Sequence, residues 1–122
     1  MDRAETGRRG ERAAARYYIQ QGCTLLAHNY AIRQGELDLV LKDPEGTIIV
    51  CEVKTRTDPQ AVCRPAQSVT KAKQRRIIRT AAFYLQQTGQ SECLVRFDVA
   101  EVTPLPGGRW MVHIIKRAFE AR

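Results

Sequence analysis

Nowhere do the 122 residues approach the roughly 20 consecutive apolar residues that a helical membrane span requires. The opening MDRAETGRRGERAAARYY also lacks the apolar run of a secretory signal. A soluble, cytoplasmic protein with no membrane partner is therefore expected. The four cysteines, Cys23, Cys51, Cys63 and Cys93, contain no C-x-x-C pair, and Cys51 and Cys93 lie within apolar runs, which argues for reduced thiols and against a zinc site. Neither of the two histidines, His28 and His113, has a serine, cysteine or ligand-spaced partner nearby, so both read as structural. There is no internal repeat, low-complexity tract or linker. The length suits one domain, residues 1–122, that buries about two-thirds of its unfolded surface without a covalent staple.

Acidic residues are missing from one region. Between Asp58 and Glu92 there is none, while Arg64, Lys71, Lys73, Arg75, Arg76 and Arg79 all fall there. The carboxylates Glu36, Asp38, Asp43, Glu45, Glu52 and Asp58 gather instead around residues 35–58. With a net charge of +7 and a pI near 9.6, this distribution points to an anionic partner, of which nucleic acid is the commonest.

The acidic centre has the form of a hairpin. Strand-like runs at 37–42 and 47–55 flank Asp43-Pro44-Glu45-Gly46. Proline cannot take the positive φ of a two-residue primed turn, but Pro44 and Glu45 suit a type I turn with Gly46 in the left-handed region. That turn pairs Asp43 with Thr47, Val40 with Val50, Asp38 with Glu52 and Glu36 with Lys54. Leu37, Leu39, Leu41, Ile49, Cys51 and Val53 then line the opposite face. Two carboxylates facing one another repel, and a shared divalent cation such as Mg²⁺ offsets that repulsion. Lys54 lies on the same face and adds a positive charge.

Around the hairpin, the residues predict a helix over 8–21, with Thr6 as its cap, Gly22 as its stop and Ala14, Tyr17, Tyr18 and Gln21 as its buried stripe. Glu11, one turn before Ala14, can look toward the sheet. A strand is expected over 23–31 and a loop over 57–67. A second helix, capped by Ser68 or Thr70 and ending near residue 87, carries Ile77, Ala81, Tyr84 and Leu85 at helical spacing. Its first turns are basic, against the macrodipole, which suggests a functional reason for the charge. Strands at 93–103 and 109–115 and a terminal helix at 116–121 complete the chain, with Trp110 at a sheet edge. The order α-β-β-β-α-β-β implies an α/β fold, a mixed five-stranded sheet flanked by helices.

Several segments together resemble the YraN family of small bacterial proteins: Arg9-Gly10-Glu11-Arg12-Ala13-Ala14-Ala15-Arg16-Tyr17-Tyr18, Asn29-Tyr30, Gly35-Glu36-Leu37-Asp38-Leu39-Val40, Cys51-Glu52-Val53-Lys54-Thr55-Arg56, Arg96-Phe97-Asp98-Val99 and His113-Ile114-Ile115-Lys116-Arg117-Ala118-Phe119. The match covers nearly the whole chain, and the GE-L-D and EVKTR pair is its specific part. That family is similar in fold to restriction-endonuclease-like nucleases and archaeal Holliday-junction resolvases, whose signature is an aspartate followed by Glu-x-Lys on the next strand. The resemblance thus implies a restriction-endonuclease-like core in which Asp38 and Glu52 are metal ligands, Lys54 orients or activates water and Glu11 is an auxiliary acid. Gln74 matches a glutamine on a downstream helix of related nucleases.

The leading expectation is a metal-dependent endonuclease acting on structured or branched DNA, ahead of RNA. In it Mg²⁺ or Mn²⁺ is held by Asp38, Glu52 and the main-chain carbonyl of Val53. Lys71, Lys73, Arg75, Arg76 and Arg79, with Gln74 and Arg56, would hold the nucleic-acid backbone. A homodimer would suit the two-fold symmetry of a junction. Two other readings stand beside it: a non-catalytic nucleic-acid-binding module, and an interaction protein whose acidic pair is bridged by Lys54 and Arg56.

Overall fold

The computed structural model describes residues 2–57 and 69–121. Expectations that fall on residues 58–68, including all of the loop after Thr57, Cys63, Arg64 and the alternative cap Ser68, lie outside the described residues. The elements are α1 (Arg3–Gln20), β1 (Thr24–Ile32), β2 (Gly35–Lys42), β3 (Ile48–Thr55), α2 (Lys71–Gln87), β4 (Val95–Pro104) and β5 (Trp110–Phe119), with a 3₁₀ turn at Pro106–Gly108. The five strands lie in sequence order, β1-β2-β3-β4-β5, all antiparallel except β3 and β4, which run parallel across the connection that contains α2. The expected mixed sheet in the order α-β-β-β-α-β-β is what the chain adopts.

One helix covers each face. Against α1 lie Leu39, Leu41, Ile49, Cys51, Ala100 and Val102, packed on Ala14, Ala15 and Tyr18. Against α2 lie Leu37, Val40, Val50, Phe97 and Val99, packed on Ile77, Ala81, Tyr84 and Leu85. Two glycines set how closely the helices approach. A Cβ on Gly10 would come within 2.6 Å of Thr55 Oγ1 and 2.8 Å of Val102, and one on Gly35 within 2.6 Å of Thr80 Oγ1. No helix among the described residues is long and apolar enough to cross a membrane, and Cys23, Cys51 and Cys93 are free.

The hairpin turn has the predicted form. The Asp43 N–H donates to the Thr47 carbonyl, the Gly46 N–H donates to the Asp43 carbonyl, and Gly46 has φ +92°. The Asp43 carboxylate also accepts from the N–H groups of Glu45 and Thr47. Val40 therefore pairs with Val50 as the turn chemistry requires.

Four expectations are corrected. First, α1 begins five residues early because Asp2, not Thr6, is its cap, its carboxylate accepting from Glu5 N–H at 2.8 Å. Its buried stripe is Gly10, Ala14, Ala15 and Tyr18, so Gln21 is exposed and Tyr17 only half-buried. Second, residues 116–119 continue β5 rather than forming a helix. The strand takes up an irregularity opposite Asp98, where Arg117 has φ 53° and its N–H donates to the Asp98 carboxylate. Third, Leu37 joins the α2 side rather than that of Leu39. Strict alternation is broken where β1 bends, at Asn29, which has φ 50° and stands between the His28–Leu39 and Tyr30–Leu37 pairs. Fourth, the expected cross-strand pairs Asp38–Glu52 and Glu36–Lys54 are absent from the β2–β3 ladder, which ends at Leu39–Cys51 because the Asp38 carboxylate takes the Val53 N–H. Trp110 lies on the edge strand β5 and packs against the α1 cluster, as expected.

Candidate active site

The site forms where β2 and β3 part. Their backbone ladder ends at Leu39–Cys51. One residue further on, Asp38 Oδ2 accepts from Val53 N–H at 2.8 Å, so a side-chain carboxylate takes the place of a strand carbonyl. This bond anchors Asp38 in the gap, near Glu52 but beyond the last ladder pair, so the two carboxylates meet through their side chains and not as the cross-strand pair that the turn register predicts.

Charge then shapes the pair. Burial, and after it the Glu52 carboxylate, push the Asp38 carboxyl from its ordinary range up to about 7, outweighing the Val53 N–H and Lys73, which pull it down. Glu52 is itself buried, and its Oε1 lies 2.8 Å from Lys73 Nζ. Lys73 is thereby held protonated, because the hydrogen bond and charge of Glu52 prevail over the desolvation that would lower its pKa. Lys54 is lowered, by burial first and then by the neighbouring Lys73 amine. From α1, Glu11 approaches closely enough to feel the charge of Asp38. Burial and then the Asp38 charge raise its pKa, partly countered by a hydrogen bond from Asn29.

Fold and sequence thus bring Asp38, Glu52, Lys54 and, at the margin, Glu11 to one place. Among the described residues no three His, Cys, Asp or Glu side chains are grouped so as to hold a metal ion by themselves. Two converging carboxylates, with the Val53 carbonyl beside them in sequence, are nonetheless the donor set from which Mg²⁺ or Mn²⁺ can be bound, since such ions complete their shells with water and phosphate oxygens. The residues fit the ion without forming a closed cage for it.

The basic residues separate into two groups. Lys71, Arg75, Arg76 and Arg79 are exposed along α2 and make no ion pair among the described residues. Lys73 instead points to the sheet and joins the site. Thr70 caps α2 by accepting from Lys73 N–H at 3.1 Å, and Lys73 lies four residues before Ile77 on the buried stripe. That spacing was the available signal for its role. Gln74 donates its amide to the Val69 carbonyl at 3.1 Å, which ties down the approach to the helix. Arg56 lies 3.3 Å from Glu101 on β4, so it does not bridge Asp38 and Glu52. Asn29 is the other residue whose role the pattern did not reveal, since its importance comes from its backbone conformation and its contact with Glu11.

Residues 10–102 match the model of a family described as "Uncharacterised protein family UPF0102". A UPF0102 protein of Symbiobacterium thermophilum is 42% identical over 115 residues, which cover 94% of this chain and 96% of that protein. One from Desulfosudis oleivorans is 40% identical over 119 residues, covering 98% and 93%. Among solved structures, an EndoMS–dsDNA2 complex superposes with a TM-score of 0.40 at 19% identity over 73% of this chain and 34% of that one. SfsA of Pyrococcus furiosus in complex with Ca²⁺ gives 0.43 at 12% identity over 92% and 63%. The present chain thus spans about a third of the first of these chains and under two-thirds of the second.

Proposed function

The chain belongs to the UPF0102 family, and we propose that it is a metal-dependent nuclease hydrolysing phosphodiester bonds of structured or branched DNA. The observation that carries this reading is the meeting of Asp38 and Glu52: burial and the Glu52 charge raise the Asp38 pKa where two strands separate, with two amines beside the carboxylates and, on the adjoining helix, a row of cations that make no ion pair among the described residues. The two amines do not quench the repulsion, since Lys73 is engaged by Glu52 and the Asp38 carboxyl stays raised. Here the Val53 N–H fixes Asp38 against the very group that repels it.

In this reading Asp38, Glu52 and the Val53 carbonyl hold Mg²⁺ or Mn²⁺. When bound, the ion supplies Lewis-acid polarisation of the phosphate and a more acidic water. The chain's own residues do the rest. Lys54, whose lowered pKa eases proton exchange, positions the attacking water and stabilises the charge that grows on the phosphoryl oxygens. Lys73 holds the Glu52 carboxylate in place, and Glu11 accepts or donates a proton at the edge of the site. Lys71, Arg75, Arg76 and Arg79 hold phosphates without reading sequence. A homodimer, with one site for each of two strands, is part of the proposal.

The Lys73–Glu52 ion pair also favours a second reading, a nucleic-acid-binding module in which the amine permanently takes the cation's place. A cleavage panel of four-way junctions, flaps, duplex and single strands, DNA and RNA, with Mn²⁺ and a Glu52→Ala control separates the two. Cleavage that disappears with Glu52→Ala supports the nuclease. Binding without cleavage across the panel supports the module, and cleavage that survives Glu52→Ala refutes the mechanism.

A further inference from the structure

A cavity of about 320 Å³ opens beside the candidate site, on the α1 face of the sheet. It exists because α1 packs on the central strands at Gly10, Ala14 and Ala15, while β1 is the edge strand and bends at its irregularity between Leu25 and Ala27 and again at Asn29. A wedge remains between helix and edge. Its apolar lining is Ala15, Leu25 and Leu39, and its polar lining brings Arg8 and Arg12, one helical turn apart on α1, to face His28 and Asn29 on β1. Glu11 lines the same cavity, and so does Leu39, the residue after Asp38 on β2, which places the cavity against the strand that carries the first carboxylate.

We propose that this cavity receives a single unstacked nucleotide of the nucleic-acid substrate, its base against Leu25, Leu39 and Ala15 and its phosphate at Arg8 and Arg12. The inference rests on the nuclease reading, to which it adds a substrate class: nucleic acid with an unpaired or extruded nucleotide next to the phosphate being cut. The chemistry of the lining selects this occupant. A flat apolar ring suits the hydrophobic wall, guanidinium groups bind phosphate or stack on the ring, and Glu11, His28 and Asn29 offer both donors and acceptors to a base edge. The volume lies at the lower end of small-molecule sites, which suits one nucleotide and no more. A duplex phosphate backbone alone would need the cations but not the apolar wall.

The test uses the full chain without metal, so that binding is read apart from turnover. Fluorescence anisotropy at low salt compares an oligothymidylate with an oligomer of equal length built from abasic units, which has the same phosphates and no bases. Covering about 50 Å² of a base with the aliphatic wall is worth about tenfold in affinity, so the wild type should prefer the first by about that factor. Leu25→Trp, which fills the cavity, should bind both oligomers equally, and Arg12→Ala, on the exposed rim, should lose affinity for both about equally while leaving the melting temperature unchanged. Equal binding of the two oligomers by the wild type overturns the cavity's role while leaving the nuclease reading intact. A preference that survives Leu25→Trp, or an Arg12→Ala variant that binds both oligomers as the wild type does, also overturns it. Failure to bind any nucleic acid removes the nuclease reading and this inference with it.

Discussion

Replacing Asp38 with asparagine should make the protein more stable, increasingly so as pH rises. The Asp38 carboxyl has its pKa raised from 3.8 to about 7 in the fold, so the folded state binds this proton more tightly than the unfolded chain does. A raised pKa contributes stability that is complete below the unfolded value of 3.8 and lost progressively until pH passes about 7. At about 1.36 kcal/mol per unit, the full loss is at most about 4 kcal/mol. Solvent reaching the open side of the cluster reduces that, and a difference of about 2 kcal/mol between pH 5 and pH 8 is expected. Asparagine copies the uncharged shape, can still accept from Val53 N–H, and removes the repulsion from Glu52. Urea unfolding in the presence of EDTA, at half-unit pH steps from 5 to 8.5, should therefore show the wild type losing stability relative to Asp38→Asn across this window. Adding Mn²⁺ should reverse the order, because an ion bound only by the folded wild type stabilises it by about 2.7 kcal/mol at a hundred times its Kd. Parallel pH profiles for the two proteins would show that Asp38 and Glu52 do not oppose one another, and the argument for a cation between them would fall.

Lys73→Met should bind Mn²⁺ about tenfold more tightly by calorimetry, since it removes a positive charge 2.8 Å from a ligand oxygen; weaker binding would make Lys73 a support rather than a competitor. Changing Arg75, Arg76 and Arg79 together to glutamine should flatten the salt dependence of DNA binding by about 2 in the slope of log K against log salt, and an unchanged slope would move the phosphate track off α2. Gly35→Ala should cost about 1–3 kcal/mol in thermal or denaturant unfolding. Its Cβ would lie 2.6 Å from the hydroxyl of Thr80, which is fully buried and bonded to the Arg76 carbonyl at 2.7 Å and so has nowhere to turn.

Local chemistry made the hairpin legible. Pro44 excluded one turn type, Gly46 supplied the positive φ of another, and counting from that turn placed Val40 on Val50 before any tertiary contact was considered. The α2 stripe was equally readable, because Ile77, Ala81, Tyr84 and Leu85 obey one period and all are buried. What the sequence concealed depended on contacts between distant segments. The terminal residues 116–119 have helical composition but form an edge strand, since β4 offers them a partner and the Asp98 carboxylate accepts the Arg117 N–H at the break. Lys73 read as one cation among several; its spacing from Ile77 puts it on the buried side of α2, but the Glu52 carboxylate that engages it comes from the sheet.

The two aspartates that sit between apolar residues on strands, Asp38 in Leu-Asp-Leu and Asp98 in Phe-Asp-Val, show why a motif alone could not locate the site. Both do the same structural work: each carboxylate accepts a main-chain N–H where a strand pair is interrupted, Val53 for one and Arg117 for the other. Their surroundings set them apart. Asp98 is wholly buried, yet Tyr18 OH donates to it at 2.7 Å and the Arg96 guanidinium at 3.1 Å, so its charge is matched and its oxygens are taken. Asp38 has the one main-chain donor, a carboxylate for a neighbour and a lysine committed mainly to that neighbour. A buried carboxylate with a complete set of donors is held for the fold. One left short of positive charge is where the proposed cation would act, and among the described residues it is Asp38, not Asp98, that lies near Lys54 and a basic helix.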